Sequence, residues 1–221
     1  MRRNRGIICF FWGILILGMV IVGGCAGSKT YLLNLKYDTS KVPAFVSRSK
    51  GVTVAVYDFQ DVRPDTQFIG KRVYRDGMAD FFKPDSGTVA QVITKSVVSL
   101  LEQAGFKVTR VNRYLDPQKD DFKDIPGDAA LGGKIAALGV EAKTGRVTTD
   151  TEATVRLQMD WGLVKERTWI KKLIEGMGQE SDRPFYKPEH AQALLNSVLK
   201  DGLDKLLKDE TQLRDKLMQG K

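Results

Sequence analysis

The residue with the clearest chemical assignment in this 221-residue chain is Cys25, which closes Val22-Gly23-Gly24-Cys25. Ahead of it lie Arg2, Arg3 and Arg5, then an apolar run from Gly6 to Ile21. A positive start, an apolar stretch and small residues before a thiol are the order of a bacterial lipoprotein signal. The charge stays in the cytosol, the apolar run enters the bilayer, and the small residues let a peptidase reach the backbone. The expected chemistry is a thioether-linked diacylglycerol on Cys25, then cleavage that makes Cys25 the first mature residue. The rival is a single membrane-spanning helix, because residues 6–24 nearly reach the ~20 residues that cross a bilayer. The terminal glycines and the polar chain that follows favour the lipoprotein. Two or three acyl chains anchor stably where one is marginal. The expected place is the membrane, facing the periplasm. Ala26, where the inner-membrane retention pattern has aspartate, favours the outer membrane.

Other chemistry is thinly supplied. The only cysteines are Cys9 and Cys25 and the only histidine is His190, so a His/Cys metal cage, a CxxC pair and a disulfide framework are excluded within one mature chain. His190 as a general base needs an adjacent nucleophile and an orienting acid. Ser181 and Asp182 are near only in sequence, and a solvent-facing histidine in a first helical turn is the expectation. Gly132-Gly133-Lys134 fails as a phosphate loop, because Asp128 and Ile135 stand where glycine and Ser or Thr are required. Asp116, Asp120, Asp121, Asp124 and Asp128 lack the ligand order of a calcium loop and are interleaved with Lys119 and Lys123. No catalytic residue, metal or cofactor is expected, and the reading is a binding protein rather than an enzyme.

Residues 60–86 read as a long connection, and long connections are commonly functional or mobile. Phe68, Lys71, Arg72, Tyr74, Arg75, Phe81 and Phe82 mix aromatic and basic side chains, which suits contact with an envelope protein or a membrane surface. The alternative is that these aromatics fold back over an open sheet edge. The formal charge is +8, or +5 once the three signal arginines are gone. Lysines and arginines are scattered among acids, so solubility and anionic headgroups explain the balance better than nucleic acid.

The elements that must position these residues follow from periodicity. Tyr31, Leu33, Leu35 and Tyr37 alternate with polar neighbours, as in a half-buried edge strand. Val52 to Phe59 is β-branched and nearly continuous in apolar character, a central strand. Asp85 or Ser86 can cap a helix whose Val89, Val92, Ile93, Val97, Leu100 and Leu101 share one face. Gly105 ends it and Phe106 to Val111 return as a strand, giving a βαβ unit. Residues 112–128 read as a loop, Ala129 to Lys143 as a strand, and residues 152–164 with Thr168 to Gly176 as a hairpin. Pro188 opens a last helix striped by Ala191, Leu194, Leu195, Val198, Leu206 and Leu207. The expected layout is signal 1–24, lipidated tether and edge strand 25–50, one domain 51–208, and a charged tail 209–221. With 42% hydrophobic residues such a chain needs no staple.

Three segments in order behind the cysteine carry a resemblance: Val52–Phe59 running into Asp61-Val62-Arg63, then Phe68-Ile69-Gly70, then Leu100-Leu-Glu-Gln-Ala-Gly-Phe-Lys-Val108. Together they resemble the YajG-like bacterial lipoproteins. The half from Leu131 onward also looks like the auxiliary lipoproteins of ABC-type envelope transport systems. The resemblance implies an α+β fold, a two-layer sandwich of mixed sheet with two main helices on one face, and it supplies no catalytic residue. It implies a periplasm-facing interaction module, or else an accessory subunit handling lipid or another apolar ligand.

Overall fold

The computed structural model describes residues 27–38 and 51–208. The signal 1–24, Cys25 and the tail 209–221 lie outside the described residues. Nine strands and two helices follow: β1 Thr30–Leu33, β2 Thr53–Asp58, β3 Gln60–Asp61, β4 Gly70–Val73, β5 Ala79–Pro84, α1 Val89–Gln103, β6 Lys107–Tyr114, β7 Ala129–Thr144, β8 Thr149–Leu163, β9 Thr168–Arg183 and α2 Pro188–Lys208. A short 3-10 turn occupies Phe122–Asp124.

All nine strands join one mixed sheet with β7 at its centre. Along one edge β7 pairs in turn with three parallel neighbours: β2 at Ala129–Leu131, β3 at Lys134–Ile135 and β4 at Val140–Lys143. Along the other edge it runs antiparallel to β8 from Ala129↔Leu163 to Thr144↔Thr149, and β8 pairs likewise with β9. β6 lies outside β2, parallel to it, as a βαβ unit requires. β5 lies outside β4, and β1 closes that side as an edge strand parallel to β5.

This corrects the reading of residues 60–86 as one connection. The segment is a two-residue strand, a bridging loop and a β4–β5 hairpin that completes the sheet between β1 and β7. Lys71-Arg72 inside β4 hid the strand, because it carries no apolar alternation. The alternation before it did hold: Leu33, Leu35 and Tyr37 are buried while Leu32, Asn34 and Lys36 are exposed.

α1 is capped three positions after Asp85 and two after Ser86, the two expected caps. Thr88 is the N-cap, accepting from the Gln91 amide while the Gln91 side chain accepts from the Thr88 amide, a reciprocal capping box. Asp85 and Ser86 have no residue three positions on that can return the bond. At the other end Gly105, at φ +90°, lets its own amide reach Glu102 O and the Phe106 amide reach Leu101 O. That pair of bonds is a Schellman closure, and the left-handed backbone it needs favours glycine.

Both helices bury their stripes in one cluster on the same face of the sheet, with Ile93, Leu100 and Leu101 from α1 and Leu195, Leu199 and Leu203 from α2. The fold is therefore the α+β arrangement of a mixed, curled sheet with two helices. A smaller cluster lies on the opposite face, where Ile125 packs on Ala55, Tyr57 and Ala130, with Phe122 stacked on Trp169 at 4.8 Å. The expected loop 112–128 is shorter, because β6 runs on to Tyr114; residues 115–128 cover one end of that face and leave the other end bare.

Candidate functional site

Strand alternation decides what the bare end presents. Val140 and Ala142 of β7, and Ala153 and Val155 of β8, point under the helices and are buried. Their neighbours point the other way. Lys71, Phe81, Glu141 and Glu152 are brought side by side by the pairings Lys71↔Phe81, Lys71↔Glu141 and Glu141↔Glu152. Beside them the chain from Arg63 to Gly70 arches over β7 at its bulge between Ile135 and Ala137. Between arch and strand lies a groove of about 570 Å³, with Phe68, Phe81, Ala136 and Ala137 among its apolar walls and Lys71, Glu141 and Glu152 at its rim.

One ion pair holds the arch. Arg63 is buried, and its Nε and Nη2 donate to the two carboxylate oxygens of Asp61 at 2.9 and 2.8 Å. Its Nη1 donates to Phe68 O at 2.9 Å and to Leu138 O at 3.0 Å. The guanidinium thus ties both ends of the arch to β7, using the planar fork that lysine lacks. Phe68 lies 4.6 Å from the Phe81 ring, and the Lys83 ammonium sits over Phe68 at 4.9 Å. Ile69 is buried, and Gly70, at φ +144°, brings the backbone so close to β7 that a Cβ there would lie 1.8 Å from Val140 O. Only glycine lets the arch rejoin the sheet at this point. The Asp61-x-Arg63 and Phe68-Ile-Gly70 signatures are therefore the parts that build the groove.

The seven expected contact residues do not form one surface. Phe68, Lys71 and Phe81 line the groove. Phe82 is fully buried under the helices and can contact no partner. Arg72 and Tyr74 belong to the opposite side: the Arg72 guanidinium lies 4.7 Å from the Tyr74 ring and 4.6 Å from the Tyr186 ring, and its Nε donates to Thr144 Oγ1 at 2.8 Å. Tyr74 donates to Asp80 at 2.6 Å, and burial together with that carboxylate pushes its phenol up to about 12. Arg75 is exposed in the β4–β5 turn. Of the arrangement itself, sequence reasoning missed Arg63 as the clamp and Leu138 O as its acceptor. The two-residue spacing of Asp61 and Arg63 was the available signal for the first.

His190 is half-buried rather than solvent-facing. Its Nδ1 accepts from the Lys187 amide at 3.1 Å, its Nε2 lies 3.5 Å from Arg183 Nη1, and Tyr186 meets it edge-on. Burial, then the Arg183 charge, lowers its pKa from the ordinary 6.5. Ser181 Oγ accepts from Gln179 and the Asp182 amide donates to Asp150, which leaves neither bonded to the ring. Four of the five aspartates have protein partners: Asp116 pairs with Lys119 at 3.3 Å, Asp120 with Arg113 at 2.7 Å and Asp121 with Lys123 at 3.4 Å, and Asp128 accepts from the Thr53 amide at 2.8 Å. Among the described residues no group of three or more His, Cys, Asp or Glu is placed to hold a metal ion. Among them, too, no helix is long and apolar enough to cross a membrane.

No family model matches the chain, and no curated protein matches it. Solved structures similar to it include a protein described as a homologue of a neuraminyllactose-binding hemagglutinin from Helicobacter pylori, at 12% identity and a TM-score of 0.45, with 86% of this chain and 100% of that one covered. A lipoprotein from Neisseria meningitidis is similar at 11% identity and a TM-score of 0.38, covering 71% of this chain and 99% of that one. The PelC dodecamer from Paraburkholderia phytofirmans is similar at 15% identity and a TM-score of 0.37, with 73% and 92% covered. Likeness at this level assigns no function and no residue role.

Proposed function

We propose that this chain is a lipid-anchored lipoprotein of the bacterial envelope, YajG-like in kind, held by acyl chains on Cys25 and facing the periplasm, in the outer rather than the inner membrane. It works as a non-enzymatic interaction module, and its groove grips an extended apolar segment of an envelope protein. One observation carries the binding role: the bare end of the sheet face holds a groove with apolar walls and a charged rim, and a buried ion pair keeps its far wall rigid. Pre-formed apolar clefts with a few polar groups at their edge are where ligands bind. The affinity is expected from Phe68 and Phe81, since a few aromatic anchors dominate most interfaces.

Affinity capture from the native envelope tests this. Phe81→Ser is expected to abolish retention of the partner. Its cost to stability should be about 0.5–1.5 kcal/mol for the lost ring pair, on top of a partly exposed contact. Retention unchanged by Phe81→Ser and Phe68→Ser together would overturn the groove as the site. The anchor is tested separately: Cys25→Ser should abolish acyl labelling and leave an unprocessed precursor. The apolar walls also suit an acyl chain, which favours as second reading an accessory subunit of an ABC-type envelope transporter. Lipid co-purifying with the wild type but not with Phe81→Ser would select that reading.

A further inference from the structure

Three chain reversals meet at one end of the sheet. The β4–β5 turn, residues 74–78, projects past Val73↔Lys143, and the β7–β8 turn, residues 145–148, projects past Thr144↔Thr149. Thr149 in turn pairs with Arg183, so the chain leaving β9 emerges beside that turn. Each tip carries an exposed apolar side chain: Met78 is 46% exposed, Val147 81% and Phe185 90%. Phe185 also sits at φ +53°, a left-handed backbone that costs energy in an aromatic residue. A ring that is both strained and bare is not retained for packing within the domain.

The start of the described chain is at the same end. Lys29 O accepts from the Phe81 amide, and Ser28 Oγ donates to Ala79 O, at the foot of the β4–β5 turn. β1 and β5 run parallel away from that turn, so the described chain enters β1 from the side of that turn. Cys25 is three residues earlier. Three extended residues span at most about 11 Å, comparable with the depth of a headgroup layer. If Cys25 is lipidated, the domain cannot stand clear of the bilayer, and the end forced against it is the end with the bare tips.

We infer that this end is the membrane-contacting face of the domain, with Met78, Val147 and Phe185 entering the lipid interface beside the acyl anchor. The inference rests on the lipoprotein reading given above. Charge adds little: Arg75, Arg146, Arg183 and Lys187 are offset by Asp76, Glu180, Asp182 and Glu189, with Arg183 paired to Glu180. The contact is apolar, as with residues that sit at the headgroup and acyl boundary, and high salt should leave it intact.

Full-length protein purified from membranes and reconstituted into phosphatidylethanolamine–phosphatidylglycerol vesicles provides the test. Phe185→Trp and Val147→Trp are compared with Glu166→Trp, which lies in the β8–β9 turn at the opposite end, and with the wild type as background. The expected result is blue-shifted emission at 185 and 147, quenched by acyl-brominated lipid, with position 166 no more quenched than the background. Quenching at 185 and 147 equal to that at 166, with mass spectrometry showing a diacylglyceryl Cys25, would overturn the contact and leave the anchor standing. An unmodified Cys25 would overturn both. A blue shift without quenching by brominated lipid means that protein covers the tips, which overturns the lipid assignment. Loss of quenching in high salt would overturn the apolar contact.

Discussion

Replacing Arg63 with methionine tests what holds the arch over β7. The change keeps most of the side-chain volume and removes the charge. Asp61, whose side chain is 14% exposed, is left as an ion without its partner, and Phe68 O and Leu138 O each lose a donor. Removing one member of a buried pair costs ~3–5 kcal/mol. Asp61 retains some access to water, which argues for the lower part of that range, and two carbonyls at ~1 kcal/mol each add to it. A net loss of about 5 kcal/mol is expected, or roughly 10–20 °C in melting temperature for a domain of this size. The double change Asp61→Leu with Arg63→Met removes the stranded ion and should cost only about 1–2 kcal/mol, so the double variant should be the more stable of the two. Urea unfolding of residues 26–221 measures both, and amide exchange at residues 64–69 should quicken in each. A single variant within 1 kcal/mol of wild type, or a double variant less stable than the single, would refute the clamp.

Gly70→Ala should destabilise by well over the ~1 kcal/mol typical of a glycine in an ordinary helix, because its methyl group meets Val140 O; a melting temperature unchanged from wild type would count against the close approach. Leu100→Ala, fully buried under α1, should cost ~2–5 kcal/mol, whereas Leu32→Ala on the exposed face should stay within ~0.5 kcal/mol; equal shifts in denaturation would invalidate the assignment of faces. His190 accepts a backbone bond only when neutral, and its pKa is lowered on folding, so the unfolded state binds the extra proton. Stability contributed by His190 is present above the ordinary value of 6.5 and is lost as pH falls below it. His190→Asn should flatten the slope of melting temperature against pH in that range.

Elements with strong local patterns were legible in the sequence, and elements defined by distant neighbours were not. The stripe Val89 to Leu101 is periodic over four turns, and the Gly105 closure needs only adjacent residues. β7 was legible despite Gly132, Gly133 and Gly139, since three glycines weigh heavily against a helix. β4 was not legible: Gly70-Lys-Arg-Val becomes a strand only because β5 and β7 supply partners on both sides. The groove shared that fate, since Phe68 and Phe81 stand on opposite sides of a hairpin that could not be foreseen. Arg63 looked like a polar loop residue because its burial depends on Leu138 O, seventy-five positions away.

The central place of β7 also bears on how the domain assembles. A chain is synthesised N-terminus first, so β2, β3 and the β4–β5 hairpin exist before the strand that joins them. Until residues 129–144 follow, these three units share no neighbour and each presents an unsatisfied edge. Contacts separated by seventy or more residues form slowly, and exposed edges invite association with other chains in the meantime. The β7–β8–β9 meander, built from local reversals, is the part able to form first and to serve as the template on which the earlier strands then dock.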